Sequence, residues 1–256
     1  MLQHSESAGL SVIIPVKNGQ HFIQSALDSI LAQQWPVQEI VLVDDASSDD
    51  SRILAVEWAN RHQAKLIIVP NDYPGPAGAR NCGLQHASGA YIAFLDVDDL
   101  WPEDKLACQM RALWQQPQWD GVLGLVQVVA MAEASELSIK YQQMRDNLMH
   151  FQIGCGLFRR RLFDKVGLFA AHMQYGEDLD WFLRIMELDV PQVVLHDNPG
   201  VIYRLHGNNM TCQHHLAQEG MMQAIAASLR RRRKQGNPPP PLSSLLHVGF
   251  LPGGVS

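Results

Sequence analysis

The 256-residue chain has only four cysteines, Cys82, Cys108, Cys155 and Cys212, and no CxxC pair. That scarcity argues against a disulfide scaffold and predicts reduced thiols in a cytoplasm. Charge is sparse too: Asp, Glu, Lys and Arg make up 18% of residues, and the formal net charge is −6. An acidic balance of this kind excludes a general nucleic-acid binder, so no nucleic-acid partner is expected. No apolar run reaches the roughly 18 residues that a membrane span requires. The longest candidate, residues 121–132, is short and contains Gln127. Residues 1–10 lack both a basic start and an apolar signal core, which predicts a cytoplasmic protein rather than a secreted one. What remains is a chain that is 46% apolar, long enough to bury the core of one large α/β domain or two small ones.

The first hundred residues alternate between two periodicities. Strands are predicted over 11–16, 39–43, 65–69 and 90–95, each rich in Val, Ile or Leu. Helices are predicted between them. The first spans 21–33, with Phe22, Ala26 and Ile30 at helical spacing and Ile23, Leu27 and Leu31 beside them. The second is capped by Asp49 and runs to about 61; the third opens at Gly75-Pro76 and runs to about 87. Strands joined by helices of this length pair in parallel through right-handed crossovers. Ligands then bind beyond the carboxyl ends of the strands, where Asp44-Asp45 and Asp96-Val97-Asp98-Asp99 fall. The fold class is therefore α/β, a Rossmann-like nucleotide-binding half with a mostly parallel central sheet.

The second half is less regular. A helix is predicted over 102–116, a strand over 121–129, and either a helix or a loop over 133–150. A strong amphipathic helix follows Gly176, with Leu179, Leu183 and Met186 along one face. Two short strands, 192–196 and 201–205, are expected to meet at a turn through Asn198-Pro199-Gly200. A last helix is predicted over 212–234, and the tail after Gly236, with four successive prolines, is expected to be extended or irregular.

Three clusters carry chemistry. On an extended strand end, residues two apart project to one side, so Asp96 and Asp98 can face a single ligand. Two hard oxygen donors suit Mg²⁺ or Mn²⁺; the plainer reading is a strand end that caps the next helix. Asp44-Asp45 ends the second strand, where a carboxylate can accept from a nucleobase or ribose. Residues 76–81 begin a helix whose free backbone N–H groups, with Arg80, favour an anion. Equally, Arg80 could pair with one of the strand-end aspartates.

These segments, SVIIPVKNG at 11–19, VDDASS at 43–48, GPAGARNCG at 75–83, ASGAYIAFLDVDD at 87–99, GEDLDW at 176–181 and YRLHGNNM at 203–210, together resemble the family-2 inverting glycosyltransferases with a GT-A fold. The resemblance covers about residues 11–210. It implies a single domain over 1–235, with a nucleotide-sugar-binding half at about 10–100, a smaller acceptor-binding and catalytic half at about 101–235, and a Pro-rich tail at 236–256. It implies a nucleotide-sugar donor, usually a UDP-sugar, and a glycan or lipid-linked acceptor. Asp44 would hold the base, Arg80 would lie against base and phosphates, and Pro15 and Lys17 would approach the base. Asp96 would sit near the donor ribose or sugar and Asp98 would bind the metal, Mn²⁺ or Mg²⁺. Glu177 and Asp178 correspond to the acidic pair, with Asp178 as the base, and His206 would help hold metal or diphosphate. Asp180 competes with Asp178 as base but faces another way along the helix.

The five basic residues 230–234 follow an apolar stripe of Met221, Met222, Ile225 and Leu229. Such a run is expected as a solvated helix end, or as a basic amphipathic contact with the inner face of a membrane. His206, Cys212, His214 and His215 match no zinc spacing. Other function classes fit less well. A nicotinamide oxidoreductase needs GxGxxG after its first strand, where this chain has PVKNG. FLDVDDL resembles a haloacid-type phosphatase motif, but that motif follows a first strand and here it follows a fourth. A catalytically inactive sugar-nucleotide-binding protein is the non-enzyme alternative.

Overall fold

A computed structural model describes residues 9–130, 152–188, 193–207, 209–236 and 250–251. The predicted segment 133–150 and most of the Pro-rich tail lie outside the described residues.

The alternation read from the sequence becomes strand β1 (Leu10–Val16), helix α1 (Ile23–Leu31), β2 (Glu39–Asp44), α2 (Ser51–His62), β3 (Leu66–Pro70), α3 (Pro76–His86) and β4 (Tyr91–Phe94). Every side chain of β2 and β4 is buried, and all but Pro15 in β1. Such strands need both faces covered, which explains their unbroken apolar runs. Leu106, Met110 and Leu113 of α4 (Lys105–Gln115) point inward as their spacing requires.

The remaining elements are β5 (Gly121–Ala130), a single 3₁₀ turn at Ile153–Cys155, β6 (Gly156–Arg159), α5 (Arg161–Val166), α6 (Glu177–Met186), β7 (Val193–Leu205), α7 (His214–Gln235) and β8 (Phe250–Leu251). They form one sheet in the order β3-β2-β1-β4-β6-β5-β7-β8. Strands β1 to β4 are mutually parallel, and β6 runs antiparallel between β4 and β5. The chain leaves β1 towards β2 and β3, then returns to its other side at β4. That reversal opens a crevice at the carboxyl ends of β1 and β4. The result is a mixed, mainly parallel sheet flanked by helices, as in the GT-A fold.

Two expectations need correction. The two short strands expected around Asn198-Pro199-Gly200 are one 13-residue strand, β7. Its pairing with β5 shifts register between Leu123 and Val126, and Pro199 lies opposite Leu125 in that irregular stretch. A β-bulge tolerates a residue without an N–H, so the proline bends the strand without ending it. In the tail, Phe250 and Leu251 pair in parallel with Leu195 and His196 at the sheet edge, so this part of it is regular strand.

An aromatic cluster fixes α6 behind the crevice. Trp181 stacks on Phe163 (4.9 Å between centroids) and meets Phe158 edge-on at 5.2 Å, while its indole N–H donates to the Gly167 carbonyl at 2.9 Å. Among the described residues, no helix is long and apolar enough to cross a membrane.

Candidate active site

The crevice holds a cleft of about 640 Å³. Its walls include Pro15 and Lys17 after β1, Asp96 and Asp98 after β4, Arg80 on α3, Glu177 and Asp178 at the start of α6, and His206 after β7. Eight of the nine residues singled out from the sequence therefore converge.

Asp44 does not. Its carboxylate accepts the Ser47 backbone N–H at 3.0 Å and faces Arg52 at 3.8 Å, and it is absent from the cleft wall. Asp45 lines the cleft instead. It accepts from the Asn71 side chain at 2.6 Å and the Gly75 N–H at 3.2 Å, with Lys17 3.6 Å away. Neighbouring residues at a strand end point to opposite sides, so only one carboxylate of the pair faces the cleft. Two residues with left-handed backbones shape this wall, Asn18 (φ 53°) and Ala46 (φ 58°). The Asn18 side chain accepts the Ser48 N–H at 2.8 Å, tying the two loops together.

At the centre, the Arg80 guanidinium joins Asp96 (2.9 Å) to Glu177. Of the two readings left open for Arg80, the ion pair is present. Its Nε–H nevertheless stays buried without a partner among the described residues, leaving one donor for a ligand. Burial alone would disfavour the charge, but Asp96, Glu177 and Asp178 outweigh it and keep Arg80 protonated.

Asp178 is different. Burial pushes its carboxyl up to about 7, the negative charge of Glu177 pushes the same way, and Arg80 opposes both. One of its oxygens accepts the adjacent Leu179 N–H at 2.8 Å. Asp180 does not line the cleft; it is buried on the far side of α6 in ion pairs with Arg184 and Arg231.

The loop after β4 is held by His206 together with two groups that the sequence did not flag, Arg204 and Asn209. Arg204 donates to the carbonyl of Asp98 (2.5 Å) and to Ser25 Oγ (2.8 Å), and its backbone N–H reaches Asp99 Oδ1 (3.0 Å). Asn209 Nδ2 and His206 Nε2 each lie 3.2 Å from Asp98 Oδ2, and the His206 ring stacks on Phe22. Burial and Asp96 raise the Asp98 carboxyl, and burial and Asp98 raise Asp99 further. Arg204 and Asn209 sit within YRLHGNNM, but nothing in their spacing reveals that they turn back onto β4. Arg231 and Arg232, expected on a solvated helix end or at a membrane, turn inward to Glu187.

Among the described residues, no three His, Cys, Asp or Glu side chains converge in a way that would hold a metal ion. Asp98 and His206 do converge, beside carboxyls that burial and mutual repulsion make hard to ionise. A divalent cation would relieve that repulsion, and such ions bind through one or two protein ligands plus phosphate oxygens. The donor set fits.

An α/β sheet with an acidic, arginine-clamped cleft at its switch point has the architecture of the GT-A class. Residues 11–167 match the glycosyl transferase family 2, and the chain belongs to that family. It is 39% identical over 105 residues to the UDP-Glc:alpha-D-GlcNAc-diphosphoundecaprenol beta-1,3-glucosyltransferase WfgD of Escherichia coli, covering 41% of this chain and 40% of that one. The chain thus spans less than half the length of that relative. Among solved structures, it superposes with a TM-score of 0.66 on the mannosyltransferase PcManGT from Pyrobaculum calidifontis in complex with GDP-Man and Mn²⁺, at 24% identity, covering 93% of this chain and 68% of that one. Glucosyl-3-phosphoglycerate synthase from Mycobacterium tuberculosis, in complex with Mn²⁺, UDP-glucose and phosphoglyceric acid, gives 0.63 at 17% identity, covering 91% and 82%.

Proposed function

We propose that the protein is an inverting glycosyltransferase that moves a sugar from a nucleotide-sugar donor, most simply a UDP-sugar, to an acceptor hydroxyl. The observation that carries this reading is Asp178: a half-buried carboxyl at the start of α6, in a cleft shared with Asp96, Asp98 and Arg80, where desolvation and Glu177 push it up to about 7.

The nucleotide would lie over the ends of β1 and β2, with its base between Pro15, Lys17 and Asp45. The free Nε–H of Arg80 points to a role against the diphosphate or ribose, and Glu177 and Asp96 fix its orientation. Mn²⁺ or Mg²⁺ would be held by Asp98 and His206, and when bound it supplies the Lewis acidity that neutralises a diphosphate leaving group. Asp178 would take the proton from the acceptor hydroxyl as that oxygen attacks the anomeric carbon from the face opposite the nucleotide. One displacement inverts the centre. A base of this kind contributes about 10²–10⁴-fold.

A lipid-linked glycan is the acceptor we favour. The relative from Escherichia coli names a diphosphoundecaprenol substrate, and the far wall of the cleft is apolar, with Val126, Val128 and Met210. Met221, Met222, Ile225 and Leu229 on α7 are exposed beside Arg230, Arg233 and Lys234. That stripe would rest peripherally on anionic lipid, at the inner face of a cytoplasmic membrane. Residues 10–100 would then serve the donor and residues 101–235 the acceptor.

The test is UDP release from a panel of UDP-sugars with Mn²⁺, with a lipid diphosphate-sugar acceptor added or withheld. Acceptor-dependent release that Asp98→Asn abolishes supports the reading. Nucleotide binding without turnover on any donor would leave an inactive sugar-nucleotide binder.

A further inference from the structure

We propose that helix α7 is part of the catalytic apparatus: Gly220 and Arg231 are positioning residues that hold the start of α6, and with it Asp178, at the cleft. This rests on the assignment of Asp178 as base.

Two separate contacts join the helices. The first is a backbone seat. Asp178 follows a tight turn at Tyr175-Gly176, where Gly176 takes a left-handed conformation (φ 74°). That turn lies directly on Gly220. A Cβ at Gly176 would stand 2.8 Å from the Gly220 carbonyl, and one at Gly220 would press into the backbone of Tyr175. Neither clash can be relieved by rotating a flexible side chain, because the opposing atoms are main chain. A larger residue at Gly220 must push the turn, and the turn leads into Asp178 two residues later.

The second contact is ionic. Arg231 donates from Nη1 to Asp180 Oδ1 at 2.8 Å, from Nε to Glu187 Oε2 at 2.8 Å and from Nη2 to Glu187 Oε1 at 3.0 Å. Asp180 belongs to the first turn of α6 and Glu187 caps its last. One guanidinium therefore bridges two carboxylates of α6 that lie two turns apart. Ser228 adds a bond to Glu187 Oε1 at 2.6 Å, and the second oxygen of Asp180 is taken by Arg184 at 3.0 Å. Both acids are nearly inaccessible, with side chains 4% and 6% exposed, so the bonds are little screened.

The consequence for chemistry follows from distance. A base works only within hydrogen-bond reach of the proton it removes, and an ångström of misplacement can cost about 10²-fold. Donor binding draws mainly on the ends of β1, β2 and β4 and on Arg80, and meets the start of α6 chiefly through Glu177. Loosening α7 should therefore separate the two.

The experiment measures transfer kinetics and UDP affinity for Gly220→Ala, Arg231→Met, Arg231→Lys and Asp178→Asn. For Gly220→Ala and Arg231→Met, we expect kcat to fall about tenfold or more, with donor KM and UDP affinity within twofold of the parent. Arg231→Lys, which keeps the charge but not the fork, should recover several-fold over Arg231→Met. Should Gly220→Ala fail to fold, the two Arg231 variants decide. The proposal is overturned if the folded variants keep the parent kcat, or if kcat and UDP affinity fall while donor KM rises, with no advantage for lysine. Asp178→Asn separates the two claims. If it is inactive beside fully active α7 variants, only the positioning role falls; if it transfers at the parent rate, the base assignment falls and takes this proposal with it.

Discussion

At the scale of single residues, the cleft sets a carboxyl that resists ionisation beside two that are fixed by an arginine. With Asp178 as the proposed base, which acts only when deprotonated, the transfer rate should rise as pH passes upward through about 7. Removing the neighbouring negative charge with Glu177→Gln removes one cause of the raised value, and the limb should move to lower pH. A pH–rate profile of both proteins checks the direction. The same shift acts on stability. A carboxyl raised in the folded state contributes stability at low pH that is lost as pH rises from its ordinary value to about 7. Asp178→Asn should therefore melt higher than the parent at pH 8, a difference that shrinks at pH 5. Asp44 and Asp45 give a second test: Asp45→Ala should weaken UDP binding about tenfold, while Asp44→Ala, whose carboxylate holds Ser47, should weaken it less. From sequence alone, the pair was legible as a strand-end acid, but the resemblance pointed to Asp44 where Asp45 lines the cleft, since that choice depends on strand parity. Asp96, Asp98 and Asp178 were legible because they stand at the ends of strongly patterned elements. Arg204 and Asn209 were not, because they reach Asp98 from more than a hundred residues away.

At the scale of elements, the sheet carries a second buried acid with the opposite behaviour. Glu39 begins β2 and accepts from Ser11 Oγ, Ser88 and Lys65. Burial would raise its carboxyl, but Lys65 and the serine donors more than offset that and hold it down to about 2. Its contribution is present above the ordinary glutamate range and is lost as pH falls towards 2. Glu39→Gln should destabilise the fold by about 1–3 kcal/mol at pH 7 and flatten the acid limb of its stability curve, measured by denaturant titration. The parallel strands were legible because burial on both faces writes continuous Val/Ile runs. The four-residue β6 was not, because Gly156–Arg159 is too short to show a period. The Pro199-Gly200 pair signalled a turn where β7 instead continues through a bulge, since a breaker's effect depends on what its neighbour strand does.

At the scale of the whole molecule, the ends of β1 and β4 form one side of the cleft and α6 and β7 return to line the other, so its groups come from every third of the chain. The central claim is that these groups separate binding from chemistry, with Asp178 responsible for the second. Single-turnover transfer by Asp178→Asn, measured alongside donor affinity, tests this most directly. The account predicts donor affinity near the parent value and transfer reduced by about two to four orders of magnitude. Parent-like transfer by that variant, with the cleft still binding donor, would contradict it.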